Sequence, residues 1–240
     1  MTPWGSLRER DVHAVEDMDR PDCDLRRLNR SYARFPVVNS LLSGWRTTYR
    51  KRFVPLLRVR ESAEVLDIGC GGGDVARSLA RWALRDGFSL RVTAIDPDER
   101  AYEFARTSPS VEGVRYRQAH SSELVSEGRR YDIVLSNHML HHLDDAQLAG
   151  VLSDSELLTS GVALHNDLKR SNLSYALFLA GFWPLGLGSF ICGDGLVSIR
   201  RSYTRAELEE LAPEGWRVQD NGPWHNLVVY EATKNQGKVP

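Results

Sequence analysis

The chain has 240 residues, enough to bury the core of one large domain. Its 31 Lys and Arg residues nearly balance 32 Asp and Glu residues, and the net charge of −1 does not indicate a nucleic acid or an anionic membrane as partner. A composition that is 42% hydrophobic and 26% charged excludes wholesale disorder. Three scattered cysteines with no C-x-x-C pair indicate neither a zinc ribbon nor a disulfide scaffold. The acidic N-terminus lacks the apolar core of a signal peptide, so we expect a cytoplasmic protein.

Residues 25–60 form a basic segment with ten Lys or Arg residues and no acidic residue. At its start Leu25, Leu28, Tyr32 and Phe35 recur at helical spacing, which predicts an amphipathic helix. The basic face is either a solvated surface or a docking surface for an anionic membrane or substrate. We predict that residues 1–60 form an N-terminal helical cap, which either closes a site in the same chain or mediates a homodimer.

From residue 61 onward, short apolar runs alternate with helical stretches, which predicts βαβ units and a mainly parallel sheet. The predicted parallel strands are Ala63–Ile68, Leu90–Ile95, Val114–Ala119, Tyr131–Ser136 and Gly161–His165. The predicted helices between them are Val75–Asp86, Asp98–Thr107 and Asp144–Leu158.

The last part of the chain has a different sequence pattern. Thr204 and Glu207 form a capping box that opens a helix through about Leu211. Trp216–Asp220 and Leu227–Ala232 then predict an antiparallel pair of strands at the end of the sheet, for seven strands in all.

An uncharged run from Ser171 to Gly193 is long enough to cross a bilayer, but its glycines and Pro184 favour a buried or mobile segment. The run contains more aromatic and aliphatic side chains than a connection between two elements needs. They form either a lid over an apolar pocket or a surface that packs on the N-terminal helices. We predict a lid insertion at about residues 171–202, with Phe182 and Trp183 in contact with the substrate.

The clearest motif is the glycine-rich sequence VLDIGCGGGD at residues 65–74, in which a predicted strand enters a turn that a helix follows. Gly69 and Gly71 let a ligand lie against the turn, and Asp96 in AIDPD, at the end of the next strand, can accept both hydroxyls of a ribose. Neither a G-x-G-x-x-G dinucleotide motif nor a phosphate-binding Gly-Lys-Ser/Thr loop is present. Asp67, directly before the turn, suits a ligand that carries its own positive charge.

VLDIGCGGGD followed by AIDPD resembles the first two motifs of the class I S-adenosylmethionine-dependent methyltransferases. The resemblance, over about residues 63–232, implies an α/β fold with a Rossmann-like, seven-stranded, mostly parallel sheet, a terminal antiparallel strand pair, helices on both faces and an N-terminal helical extension. It implies S-adenosyl-L-methionine as cofactor, S-adenosyl-L-homocysteine as product and a methyltransferase domain at residues 61–240. The cofactor-binding residues that it implies are Asp67, Gly69, Gly71, Asp96, Pro97, His120, Ser121 and Asn137.

The acceptor side is expected after the fourth and fifth strands, because ligands gather at the carboxyl ends of parallel strands. We predict that His138, His142 or His165 removes a proton from the acceptor, since the ordinary pKa of histidine suits a base near neutral pH. Alternatively, His141 or His142 is a hydrogen-bonded core or capping histidine. His138 and His142 could share a helix face, but no third ligand is spaced to complete a zinc site, so no metal is expected. Further substrate contacts are predicted for Trp45, His141, Asp167 and Arg170.

NHMLHHL at residues 137–143 resembles the corresponding motif of bacterial quinone, phenol and polyketide methyltransferases. HNDLKRS (165–171), DGLVSIRRSYTRAEL (194–208) and SLLSGW (40–45) are similar to a bacterial subgroup that accompanies type III polyketide synthases in phenolic-lipid pathways. The resemblance implies methylation of a small, hydrophobic, aromatic acceptor in secondary metabolism, at phenolic oxygen or, alternatively, at a quinol or resorcinol ring carbon. Two other hypotheses are methylation of RNA or protein, which the absence of an aromatic stacking platform disfavours, and a non-catalytic binding subunit.

Overall fold

The computed structural model describes residues 7–182 and 187–232. Within them, seven strands form one sheet in the order β3-β2-β1-β4-β5-β7-β6. The strands are β1 (Ser62–Ile68), β2 (Ser89–Asp96), β3 (Val114–Gln118), β4 (Tyr131–Asn137), β5 (Thr159–Leu168), β6 (Trp216–Asp220) and β7 (His225–Glu231). The first five strands are parallel to one another, whereas β7 is antiparallel to both β5 and β6. The predicted mostly parallel sheet with its terminal antiparallel pair is confirmed.

Ten α-helices are present in the described part of the chain. They are α1 (Leu25–Leu42), α2 (Trp45–Thr48), α3 (Val54–Arg60), α4 (Asp74–Arg85), α5 (Glu99–Thr107), α6 (Ser121–Ser126), α7 (Asp145–Leu158), α8 (Asn172–Phe182), α9 (Ile191–Arg201) and α10 (Arg205–Leu211). A π-helical turn, Tyr49–Phe53, joins α2 to α3, and Leu140–His142 is a single 3-10 turn. None of the described helices is both long enough and apolar enough to span a bilayer.

Local capping explains where several helices begin. At the start of α7 the Asp144 side chain accepts a hydrogen bond from the Gln147 backbone N–H, and the Gln147 side chain accepts one from the Asp144 backbone N–H. The same reciprocal arrangement joins Thr204 and Glu207 at the start of α10, as predicted. Satisfying these otherwise unpaired N–H groups fixes both boundaries.

Apolar side chains are buried on both faces of the sheet. One cluster packs the segment from α2 to α4 against one face, around Tyr49, Phe53 and Leu79. A second cluster packs α6, α7 and α10 against the other face, around Leu124 and Leu148. Burying both faces explains the apolar centres of β4 at Ile133–Leu135 and of β5 at Val162–Leu164.

The predicted basic face of α1 has a structural partner that the sequence did not indicate. The guanidinium groups of Arg27, Arg30 and Arg34 donate to the backbone carbonyls of Ser189, Gly188 and Leu187, at 3.1, 3.0 and 2.8 Å. These arginines therefore attach the segment that leads into α9 to the N-terminal helix. This part of the basic segment is neither a purely solvated face nor a free docking surface.

β1 and β4 are neighbours in the sheet, and the chain continues from them toward opposite edges. β2 and β3 lie on the outer side of β1, whereas β5 lies on the outer side of β4. In open α/β sheets such a reversal leaves a crevice at the carboxyl ends of the strands. The loops after β1 and β4 carry the glycine motif and the histidines, so the topology brings both to this crevice.

Candidate functional site

The crevice is the mouth of a cavity of about 870 Å³, within the range of ligand pockets. The sheet forms its floor, while residues 16–19, α1 and α9 form much of its roof. Helices α1 and α9 thus both line the cavity within one chain.

The turn after β1 has the backbone conformation that glycine allows. Gly69 and Gly71 have φ angles of 65° and 51°, in the left-handed region. The Gly71 N–H donates to Asp96 Oδ2 at 2.8 Å, and the Asp98 N–H donates to Asp96 Oδ1 at 2.9 Å. Two backbone bonds thus hold the Asp96 carboxylate at the cavity wall, where its remaining lone pairs can accept ribose hydroxyls.

Beside this turn, a buried carboxylate faces the cavity without a complete set of partners. Asp67 is 1% exposed and its Oδ2 has no hydrogen-bond partner among the described residues. Burial, followed by the neighbouring carboxylates of Asp74 and Asp96, raises the pKa of Asp67 well above its ordinary value. An unpaired anion at this position fits the ammonium group of S-adenosylmethionine.

Asp74 is a cavity-lining carboxylate that the sequence analysis did not select. It is buried at the start of α4, and its Oδ2 accepts from the Asn39 side chain at 3.0 Å. Its place as the final residue of VLDIGCGGGD is the signal that could have identified it. The bond to Asn39 also connects the glycine turn to α1.

We predict that Gly71→Ala abolishes cofactor binding at a small cost in stability. A Cβ at Gly71 would have only Tyr32 Cε1 nearby, at 3.8 Å, so the methyl group would occupy the space available to the ligand. The left-handed φ adds about 1–2 kcal/mol of strain. Isothermal titration with S-adenosylhomocysteine should show affinity at least about a hundredfold weaker, equivalent to about 3 kcal/mol.

Gly222→Ala is the matched control for this prediction. Gly222 has a φ of 76° and nothing within 4 Å of its added Cβ, so the substitution imposes a similar strain outside the cavity. It should lower the melting temperature about as much as Gly71→Ala and leave the affinity unchanged. Equal affinities for both variants would show that the ligand does not lie against the turn.

Pro97, His120 and Ser121, which the sequence analysis predicts as cofactor-binding residues, also line the cavity. His120 precedes α6, where its N–H donates to Glu123 Oε1 at 2.7 Å. The Ser121 hydroxyl donates to Asp154 Oδ2 at 2.6 Å, so it is already engaged. Together with Asp67, the glycine turn and Asp96, these residues form a site whose donor and acceptor groups fit S-adenosylmethionine.

His138 lines the cavity next to Asn137, and it forms a pair with His225. His138 has a left-handed φ of 54°, and its Nε2 lies 2.7 Å from His225 Nε2. One of these atoms must therefore donate to the other. Burial lowers the pKa of His138 to about 4, so this ring is neutral and its Nε2 is occupied.

A second cluster joins His141 and His142 to Glu16 from the N-terminal segment. The Nδ1 of His141 lies 2.7 Å from Asp167 Oδ1 and its Nε2 lies 3.3 Å from Glu16 Oε1. The Nδ1 of His142 lies 3.0 Å from Asp19 Oδ2. Nothing in the sequence near Glu16 indicated this contact, because more than 100 residues separate it from the histidines.

The cluster has strongly coupled charges. Burial acts to raise the pKa of Glu16, but His142 and His141 lower it to about 2. Burial acts to lower the pKa of His141, but the carboxylates of Asp167 and Glu16 raise it to about 10. The cluster thus attracts positive charge at the roof of the cavity.

The expected arrangement of His138 and His142 on one helix face is wrong. His138 adopts the left-handed conformation and Leu140–His142 is only a 3-10 turn, so the two side chains do not follow helical spacing. The pair that the fold brings together is His141 and His142, whose ring centroids are 4.2 Å apart. Glu16 supplies the third potential ligand that the spacing in the sequence lacked.

Four other predicted acceptor residues do not line the cavity. His165 lies inside β5, which is longer than predicted, and its Nδ1 lies 2.8 Å from the Ser136 hydroxyl. Trp45 is buried and donates to Asn137 Oδ1 at 2.8 Å. Arg170 donates to the carbonyls of Leu7 and Ser202. Asp167 lies beneath His141, away from the cavity.

The acceptor end is otherwise apolar. Side chains from three helices line it, namely Tyr32, Phe35, Val38 and Leu42 of α1, Phe178 of α8 and Ile191 of α9. Phe178, Ile191 and Val38 also belong to one buried cluster, so the α8 and α9 segment both packs on α1 and lines the cavity. Trp183 and the side chain of Phe182 fall outside the described residues.

We predict that replacing Arg30 and Arg34 together with Ala loosens this roof. Both side chains donate to residues 187–188, where they anchor the start of α9. Losing two charge-assisted hydrogen bonds should raise local opening by about tenfold or more. Hydrogen exchange of peptides covering residues 187–199 measures this directly, without knowledge of the acceptor. Arg26→Ala, on the exposed face of α1, should leave exchange unchanged, and equal rates in both variants would contradict the prediction.

Comparison with known proteins gives a consistent assignment. A family model described as a methyltransferase domain matches residues 65–158. A Rickettsia akari protein named ubiquinone biosynthesis O-methyltransferase is 33% identical over 184 residues, which are 73% of this chain and 66% of that protein. A protein of the same name from Azorhizobium caulinodans is 31% identical over 127 residues, 52% of this chain and 48% of its own length. The chain spans about half the length of the first curated relatives it matches.

Two solved structures show the same fold. The plantazolicin methyltransferase BpumL in complex with SAH has a TM-score of 0.57 at 14% identity, covering 87% of this chain and 95% of that one. The magnesium protoporphyrin IX methyltransferase ChlM from Synechocystis PCC 6803 with bound SAM has a TM-score of 0.53 at 13% identity, with coverages of 92% and 99%. At these identities the likeness concerns the arrangement of the sheet and helices.

Proposed function

Because this chain belongs to the class I S-adenosylmethionine-dependent methyltransferases, we propose that it methylates a phenolic oxygen of a small hydrophobic acceptor. One observation carries the proposal. A single cavity has an acidic, glycine-bordered end at Asp67 and Asp96 and, under its roof, a cluster of Glu16, His141 and His142 beside apolar walls. The first end suits a cationic nucleoside and the second suits a hydroxyl on an apolar ring.

The acceptor class follows from the walls and from the relatives. Tyr32, Phe35 and Phe178 present aromatic surface that suits a phenolic ring and its apolar substituents. The curated relatives are named O-methyltransferases of ubiquinone biosynthesis, which favours oxygen over ring carbon. The resemblance in residues 165–171 and 194–208 supports a polyketide or phenolic lipid as the natural acceptor.

Bound S-adenosylmethionine supplies a methyl group on a positively charged sulfur. Residues of this chain bind and position the two molecules. Asp67 and Asp96 hold the cofactor, and the apolar walls hold the acceptor in line with the methyl and exclude water. Such positioning is worth about 7–11 kcal/mol of the barrier. The bound cofactor would supply the methyl group to the acceptor oxygen, and the Glu16, His141 and His142 cluster would take up the hydroxyl proton of the acceptor.

Of the three histidines predicted to be catalytic, His142 is the one that belongs to this cluster, and in this proposal it takes part in removing the proton. His138 is a positioning residue, because His225 occupies its Nε2. His165 stabilises the sheet. We further propose residues 1–60 as the cap and residues 171–202 as the lid insertion, because α1 and α9 both line the cavity.

The test is high-resolution mass spectrometry of the purified protein incubated with S-adenosylmethionine and a panel of alkylresorcinols, hydroxyquinols and simple phenols. A gain of one methyl group, placed on oxygen by fragmentation, supports the proposal. A methyl group on ring carbon replaces it with C-methylation. Absence of any product, with S-adenosylhomocysteine binding measured in the same sample, excludes phenolic acceptors and makes RNA and protein the next substrates to test.

A further inference from the structure

We propose that the Phe178 side chain limits the length of the apolar substituent that the acceptor can carry. The ring of Phe178 separates the main cavity from a second pocket behind it. This inference rests on the proposed function and narrows its substrate class to phenols with an unbranched alkyl substituent of limited length. The two pockets and the wall between them do not depend on the reaction.

The second pocket is small and lies next to the acceptor end of the main cavity. Its volume is about 30 Å³, which is room for about two heavy atoms. Three residues line both pockets, namely Leu42 of α1, Leu168 of β5 and Phe178 of α8. The residues that line only the second pocket are Ser174, Leu177, Ile199 and Trp224. The two pockets therefore share one wall, which the first three residues form.

The lining of the second pocket suits a hydrocarbon chain. Leucine, isoleucine and aromatic side chains make up most of it. The Ser174 hydroxyl is already engaged, since it lies 2.7 Å from the Ser171 hydroxyl. A pocket of this size and lining excludes a charged or branched group, so an unbranched alkyl chain is the substituent that fits it.

Contact with α9 fixes the Phe178 ring as a partition. An added Cβ at Gly195 would collide with Cζ and Cε1 of Phe178, so the glycine lets the ring pack directly against the helix. Gly195 lines the main cavity, and the ring therefore reaches from α8 to the cavity wall on α9. Phe178 is only 7% exposed. Val38 and Ile191 belong to the same buried cluster and hold the ring in place.

An acceptor in the main cavity meets this partition with its apolar end. In the proposed function its hydroxyl faces the cluster of Glu16, His141 and His142, while the apolar walls take the ring and its substituent. Each methylene group that leaves water for such a wall strengthens binding by about fourfold. The gain ends where the chain meets the Phe178 ring, because a close-packed side chain yields no further volume.

The experiment measures binding and needs no methylation. Protein saturated with S-adenosylhomocysteine is titrated calorimetrically with para-alkylphenols whose chains grow by one carbon, from the methyl to the octyl member. For the wild type we expect affinity to rise by about fourfold per added carbon and then to level off or fall at one chain length. In Phe178→Ala the rise should continue for about three to four further carbons, which match the volume of the missing ring.

Leu177→Ala is the matched control. Leu177 precedes Phe178 in α8 and lines the second pocket but not the main cavity. Its replacement enlarges the pocket and leaves the partition in place, so the limit should stay at the wild-type chain length. Thermal melts verify that each variant is folded. If Phe178→Ala unfolds, Phe178→Leu decides the question, because the smaller loss of volume should move the limit by about one carbon.

The proposal is overturned if the folded Phe178 variant keeps the wild-type limit, if Leu177→Ala lengthens the limit equally, or if no alkylphenol binds the wild type. Methylation of phenols together with an unchanged limit in the Phe178 variant would leave the proposed function standing without this partition. A shifted limit with no methylated phenol would do the reverse.

Discussion

Asp67→Asn is expected to weaken S-adenosylhomocysteine binding by about a hundredfold or more while making the unliganded protein more resistant to heat. Among the described residues the buried Oδ2 of Asp67 has no hydrogen-bond partner, so in our proposal the ammonium group of the ligand is its counter-charge. Removing one member of a buried ion pair costs about 3–5 kcal/mol of binding. In the unliganded protein the same carboxylate is an uncompensated buried charge, so its removal relieves a desolvation penalty.

The gain in stability should depend on pH in a defined direction. The pKa of Asp67 is raised above its ordinary value of 3.8, so the unfolded chain loses this proton first as pH rises. Wild-type stability therefore falls through the window above 3.8, whereas the Asn variant has no such loss. Scanning calorimetry should show the variant's advantage growing as the pH rises above 3.8.

Asp220→Asn is the control for this result. Asp220 is exposed, and a hydrogen bond from Lys169 lowers its pKa, so its replacement should slightly reduce stability at neutral pH. Ligand affinity should not change. If Asp67→Asn also lost heat resistance, or kept wild-type affinity, the carboxylate would not be the binding site of the ammonium group.

Glu16→Gln is expected to lower the methylation rate by about 10²–10⁴-fold, the range for loss of acid–base assistance. Glutamine keeps the shape of the side chain but removes the charge that orients His141 and His142. Cofactor affinity should stay within about twofold of wild type, because the Glu16 contacts lie on the acceptor side. Single-turnover kinetics together with isothermal titration would separate the two quantities.

Glu9→Gln is the matched control, since Glu9 is exposed in the same N-terminal segment. It should retain wild-type turnover. Loss of cofactor affinity in parallel with turnover in Glu16→Gln would mean that the residue supports the whole cavity and not the acceptor.

The sequence alone predicted the elements that depend on near neighbours. The strand, glycine turn and helix at residues 65–74 form a continuous pattern, and the capping box at Thr204 is set within four residues. The observed strand ends lie within three residues of the predicted ones, and those of β6 coincide with them. The prediction placed His165 at the end of β5, whereas pairing with β7 extends the strand to Leu168 and puts His165 in its interior.

The sequence by itself determined the sheet, the terminal antiparallel pair and the cofactor motif, because periodicity and turn chemistry are local properties of the chain. Only the tertiary structure decided the acceptor end. Glu16 meets His141 and His142 because the N-terminal segment packs against α9, where Asp194 accepts from the backbone N–H groups of Asp17 and Met18 at 2.9 Å. Contacts between residues so far apart depend on how elements pack, and no spacing in the sequence reports that.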